Sequence, residues 1–322
     1  MKRYANKPLM IILIVTAILF PLLTSPANAS EGAWSSYTPG TYGDFSMNYA
    51  APGLYFRENV IFVTGEIDDF PLLAPTVNAK IEQDTWFNLL NIAYVTEKKI
   101  LGAHYFWNVA IPYGFSAEVD VEVAGTTLED STSGLGDIQI APIGLMWNSG
   151  YFHITLSENV VLKTGEYNAA DPINMGRNYN SYETLFGVTW LHEKRGHEIS
   201  FLAGYMLNEK NQDTDYRTGD EFHVDATVAQ YFSDRFGVAL VGYYYKQMTD
   251  DEGPLLDTIN EINGLFLLPT PGGYKSEAAG FGPAIMWSPA KNLQLFAKWV
   301  HDAHADNHVS GDWGHLSACM KF

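Results

Sequence analysis

Beyond its first fifty residues the chain falls into strand-length segments whose connections are alternately short and long, and few folds accommodate that rhythm. The pattern is plainest between Glu221 and Gln247. Glu221, His223, Asp225 and Thr227 fall on one side of an extended chain, and Phe222, Val224, Ala226 and Val228 on the other. A period of two with one polar and one apolar row marks a β-strand between unlike surroundings. A short polar turn over 232–235 then leads into a second strand rich in Val, Leu and Tyr. The same reading predicts strands at 54–64, 85–95, 104–111, 137–147, 151–163, 182–193, 197–208, 221–231, 236–247, 280–287, 293–301 and 315–322. Connections at 96–103, 148–150, 194–196, 232–235 and 288–292 are short, and those at 65–84, 112–136, 164–181, 209–220, 248–279 and 302–314 are long.

A water-soluble sandwich has no reason to sort its connections in this way. An antiparallel transmembrane β-barrel does, with short turns on the periplasmic side, longer loops outside and an even number of strands. Strands of this length suit a tilted crossing of a bilayer, and closure removes every unpaired edge from hydrocarbon. The fold class expected is therefore all-β, one antiparallel barrel of about twelve strands over residues 54–322. Trp147, Trp190 and Trp287 fall near periplasmic strand ends, beside Tyr151, Phe232 and Phe236, as an interfacial aromatic girdle would. The last strand carries Leu316, Ala318 and Met320 at alternate positions and ends in Phe322, a pattern that suits recognition by the barrel assembly machinery. Two strands resist the scheme. Residues 85–95 are apolar on both faces, which leaves the register open. Glu158 interrupts an apolar row and predicts either a bulge near 157–159 or a register that turns it into the lumen.

Residues 1–29 read as a secretory signal peptide: a basic start at Lys2, Arg3 and Lys7, an apolar core too short to span a bilayer, and a small-x-small site at Ala27-Asn28-Ala29. Residues 30–53 are rich in Gly, Ser, Tyr and Pro without a sustained period, and are expected either to enter the lumen as a partial plug or to extend into the periplasm. The net charge of −18 argues against nucleic acid, whose phosphates need a basic face. The single cysteine, Cys319, rules out an internal disulfide and is expected to face the lumen. An acidic outer rim can bind divalent cations that bridge it to lipopolysaccharide and outer-membrane lipids.

Several motifs carry a family resemblance. Tyr37-x-Pro39-Gly40-x-x-Gly43-Asp44, Pro52-Gly53-Leu54-Tyr55, Gly134-Leu135-Gly136-Asp137 with Pro142 and Trp147, Tyr216-Arg217-x-Gly219-Asp220-Glu221-Phe222-His223-x-Asp225, Val241-Gly242-Tyr243-Tyr244-Tyr245 and Gly280-Phe281-Gly282-Pro283 together resemble the MetA-pathway of phenol degradation family of outer-membrane transporters. The resemblance covers most of the chain after residue 30. It implies an outer-membrane barrel that passes aromatic or other hydrophobic carbon sources inward. The long 248–279 connection, with its run Leu265-Phe266-Leu267-Leu268, departs from the family pattern.

The polar row Glu221, His223, Asp225 and Thr227 supplies the first pore-lining candidates. Glu183, His104, Asn108 and Lys298 join them from the polar rows of other strands. Histidine beside carboxylates is half of a general-base relay, but no serine or cysteine is evidently placed as its nucleophile. His301, His304 and His308 with Asp302 and Asp306 have metal-binding chemistry but sit where an exposed loop is expected. The function expected is passive uptake of small, aromatic or hydrophobic, molecules, with no cofactor. The alternatives are a structural or surface-interaction barrel with a closed lumen, and an outer-membrane lipid-modifying enzyme, which would need a Ser-His pair at one rim.

Overall fold

The computed structural model describes residues 35–46, 48–73, 77–123, 126–171, 173–265 and 275–322. The leader expected at 1–29 lies outside them. The strands are β1 (Gly53–Leu73), β2 (Val77–Ile100), β3 (Ala103–Val123), β4 (Thr126–Leu135), β5 (Gln139–Ser149), β6 (Phe152–Val161) and β7 (Ser181–His192). They continue with β8 (His197–Asn208), β9 (Glu221–Ser233), β10 (Phe236–Gln247), β11 (Glu277–Ala290), β12 (Leu293–Asp306) and β13 (Ser310–Lys321). A helix, α1 (Pro254–Leu265), lies between β10 and β11 and packs against β1.

Twelve strands close the wall. Each pairs antiparallel with its neighbours, and β1 closes on β13 from Tyr55 opposite Lys321 to Glu66 opposite Ser310. The remaining strand, β4, pairs with the outer half of β3 from Tyr113 to Val123, while β5 takes the inner half from His104 to Ala110. β4 therefore belongs to a projection above the barrel rather than to the wall. The chain is a closed β-barrel of the outer-membrane type, and the end that carries the short turns is marked by exposed aromatic residues: Tyr151, Phe152, Phe232, Phe236, Trp287 and Phe322.

The strand count of the wall agrees with the sequence reading, but the connections do not divide as expected. Residues 65–84 and 112–136 are largely strand. β1, β2 and β3 run 21, 24 and 21 residues, well past the length that crosses a bilayer. The cause is an alternating row that does not stop at the rim: Ile67 faces Ile81, Ile81 faces Val121, and Val121 faces Leu128 on β4. Likewise 302–314 is no long loop, because β12 reaches Asp306 and β13 starts at Ser310. At the periplasmic end the expected turn over 96–103 shrinks to Leu101 and Gly102, whose φ angles of 53° and 81° form a two-residue hairpin.

Both open registers are settled by pairing. In β2, Phe87, Leu89, Asn91, Ala93 and Val95 share the inward row with Gly114, Pro112, Ala110, Asn108 and Phe106 of β3, while Trp86 and Tyr94 lie exposed outside. Glu158 is neither bulged nor turned inward. The β6–β7 ladder is continuous from Phe152 to Val161, Glu158 is exposed on the outer face, and the Thr184 hydroxyl donates to its carboxylate at 2.9 Å. The irregularity sits in β5, between Ile140 and Ile143. A cross-strand hydroxyl offsets part of the cost of the carboxylate, so the wall keeps its register.

Candidate functional site: the lumen and the segment inside it

The inward row of β9 is the clearest starting point. Glu221, His223, Asp225 and Thr227 are all at most 1% exposed, and residues 35–43 of a segment that runs through the barrel interior lie against the first three. The His223 ring lies against Gly204 of β8, where a Cβ would come within 2.0 Å of Nε2. That gap lets the imidazole reach past β8 to β7. His223 Nε2 sits 2.8 Å from Glu183 Oε1, and Nδ1 sits 3.6 Å from Asp225 Oδ2. Tyr37 stacks on the imidazole at 3.9 Å between centroids and donates its hydroxyl to Asp225 at 2.9 Å. Gly43 N–H donates to the other Asp225 oxygen at 3.0 Å, and Ser35 bonds Glu221.

Further along, Ser46 N–H donates to both oxygens of Glu198 at 2.8 and 3.0 Å, and the Tyr231 hydroxyl donates to the same carboxylate at 2.6 Å. Asn48 reaches the Phe201 carbonyl at 2.9 Å through a slot over Gly187, where a Cβ would stand 1.8 Å from the amide oxygen. The opposite wall has the opposite charge. The Lys298 ammonium donates to the carbonyls of Gly40, Thr41 and Gly43, at 2.9 Å for the last, and Arg57 pairs with Asp44. Acidic side chains of β7, β8 and β9 thus take the N–H and O–H groups of the segment, and basic side chains of β1 and β12 take its carbonyls and its carboxylate. Buried polar groups are costly unless paired, so this two-sided pairing fixes the segment's path.

The structure brings five of the eight candidates to this segment: Glu221, His223, Asp225, Glu183 and Lys298. Thr227 is buried on the same row of β9, and the other two face inward elsewhere. His104 Nδ1 bonds the Thr96 carbonyl near the periplasmic hairpin, and Asn108 is half-buried opposite Ala141. Arg57 and Glu198 were missed. Each lies on the polar row of its strand, a signal present in the sequence, but each also sits near a strand end where a charge reads as part of a turn. Cys319 lies opposite Arg57, on the inward row. Among the described residues no group of His, Cys, Asp and Glu could hold a metal ion, and no histidine is hydrogen-bonded to a serine.

A second part of the interior is built on the motif Gly134-Leu135-Gly136-Asp137. Asp137 accepts from the backbone N–H groups of Thr164, Gly165 and Arg177 at 3.0, 2.8 and 2.6 Å, which folds the 162–180 connection back over the rim. Burial raises the Asp137 carboxyl pKa, and these N–H groups offset only part of the rise. The fold-back needs glycine. A Cβ on Gly165 would lie 2.6 Å from the Cα of Gly176, and one on Gly114 would lie 2.1 Å from the sulfur of Met175. Beneath Met175 a cavity of about 120 Å³ opens between the inner faces of β2, β3 and β5 and residues 35–38.

No curated protein sequence matches the chain. Among solved structures, an outer membrane channel from Pseudomonas putida F1 superposes with a TM-score of 0.69 at 13% identity, covering 89% of this chain and 100% of that one. The β domain of the Bordetella autotransporter BrkA is a more distant likeness, with a TM-score of 0.46 at 9% identity over 84% of this chain and 100% of that one. The first of these shares the barrel fold with the present chain. The model of the family described as "Putative MetA-pathway of phenol degradation" matches residues 71–314, about three quarters of the sequence, and the chain belongs to that family.

Proposed function

We propose that the protein is an outer-membrane channel for small molecules, with residues 35–50 restricting its lumen. The carrying observation is that charged groups on two sides of the inner wall are matched to a chain segment inside the barrel. Glu198, Asp225, Lys298 and Arg57 spend their charge on residues 43–46 and 40–44, and withdrawing the segment would leave a lined passage. Barrels of eight strands are filled by their own side chains, whereas twelve leave room that something else must occupy. Selection would follow from width and lining charge, without a covalent step.

The solute class we infer is small and largely apolar, aromatic compounds included. The support is the inner face of β2 and β3, where Phe87, Leu89, Ala93, Val95, Phe106 and Pro112 replace the polar row found on β9. Proteoliposomes carrying the purified protein test this reading. Neutral one-ring solutes should enter faster than through empty liposomes, and faster than anions of equal size. Equal rates with and without the protein would reject it in favour of a barrel whose loops, not its lumen, are the working part.

A further inference from the structure

The cavity under Met175 has the properties of a binding site in its own right. Its walls are Phe87 and Leu89 of β2, Pro112 of β3, Val161 of β6, and Ile173 and Met175 of the folded-back connection. All are apolar. Polar residues also line it: Ser35, Ser36, Thr38, Thr85, Gln139 and Asn174, with Asp137 and Arg177. The ionisable groups nearby are already engaged: Asp137 holds three backbone N–H groups, and the Arg177 guanidinium is balanced electrostatically by Asp137 and Glu221. The site therefore offers no uncommitted charge to an ionic ligand. A cavity of about 150 Å³ lined by Leu, Ile and Phe holds benzene, so the present volume of about 120 Å³ suits a single six-membered ring.

We propose that this chamber binds a small, uncharged, one-ring molecule carrying a single hydroxyl or carbonyl group, with the ring among Phe87, Leu89, Val161 and Met175 and the polar group toward Thr85 and Gln139. The proposal rests on the channel reading and adds to it a resting place for the solute. Two observations support a built site over a packing gap. The roof is held by specific means, three hydrogen bonds to one carboxylate and two glycine contacts. The floor is the N-terminal segment, so an occupant touches the element that restricts the lumen.

Benzyl alcohol is a suitable probe, with benzoate and benzylamine as charged counterparts. Binding is measured by calorimetry on the protein in lipid nanodiscs, with empty nanodiscs subtracted. Saturable binding of the alcohol is expected, with both ions weaker by about tenfold or more. Ala117→Phe places a ring in the chamber from β3 and should weaken the alcohol by about tenfold. Met175→Ala shortens the roof of the chamber without altering a barrel strand and should shift preference toward 2-naphthalenemethanol, which keeps the test valid where Ala117→Phe fails to fold. The proposal is overturned by the absence of saturable binding, by ions that bind as tightly as the alcohol, or by variants that match the unaltered protein. Uptake into proteoliposomes separates the two readings. Entry of benzyl alcohol without saturable binding rejects the chamber and leaves the channel, and binding without entry rejects the channel and leaves the chamber.

Discussion

The inner faces of β9 and β2 could hardly differ more, although both belong to one closed sheet. β9 presents Glu221, His223, Asp225 and Thr227, all buried, with the first three in contact with the inserted segment. β2 presents Phe87, Leu89, Ala93 and Val95, with Asn91 as the one polar member between Phe87 and Val95. The first face recognises backbone and hydroxyl groups, which are present in the chain's own residues 35–50. The second borders a cavity. A barrel interior need not be one environment: polar pairing on one side holds the segment, and apolar lining on the other leaves space beside it. Substitutions on the two faces should therefore have separable effects.

The largest effect is expected for Asp225→Ala. It strands the Tyr37 hydroxyl and the Gly43 N–H in a buried site, and loss of one partner of a buried charged cluster costs about 3–5 kcal/mol. Hydrogen exchange should show the amides of residues 37–46 losing protection while the β2–β3 ladder keeps its own. Equal loss on both sides would mean that the interior is one cooperative unit. Next is Leu89→Ala, at about 2 kcal/mol, the low end for a buried leucine because the side chain already borders a void. Thermal unfolding should register it, and the exchange of residues 37–46 should not change.

Gly204→Ala is expected to cost about 1–3 kcal/mol by overpacking. The new methyl would stand 2.0 Å from His223 Nε2 and force the ring off Glu183. The imidazole resonances of His223 should move, and a ring left in place would show that β8 yields instead. The smallest effect belongs to Thr184→Val on the outer face, which removes the hydroxyl bonded to Glu158 and should lower stability by about 0.5–1.5 kcal/mol. No change in segment exchange or solute binding is expected from it.

The same contrast explains what the sequence reveals. On β9 one row is polar and the other apolar, so the period of two identifies both the strand and its inward face. On β2 lipid lies outside and an apolar chamber inside. Both rows are apolar, and periodicity cannot choose between them. The register came instead from pairing partners such as Asn91 opposite Ala110. The outer halves of β1, β2 and β3 were read as loops because membrane crossing set the expected strand length, whereas their pairing continues as an ordinary sheet above it. Residues 35–50 have no period because no strand ladder organises them. Their partners are distant in sequence, with Gly43 separated from Asp225 by 182 positions. Glu158 shows the reverse: a charge in an apolar row predicts a bulge or an inward register, and a neighbouring threonine on β7 makes both unnecessary.

Planar-bilayer conductance of the protein with and without residues 35–50 tests the restricted lumen most directly. A lumen occupied by this segment predicts small currents for the intact barrel and a severalfold larger, steady conductance after deletion, with β-sheet content retained. Equal conductance for the two proteins, or none from either, would contradict it.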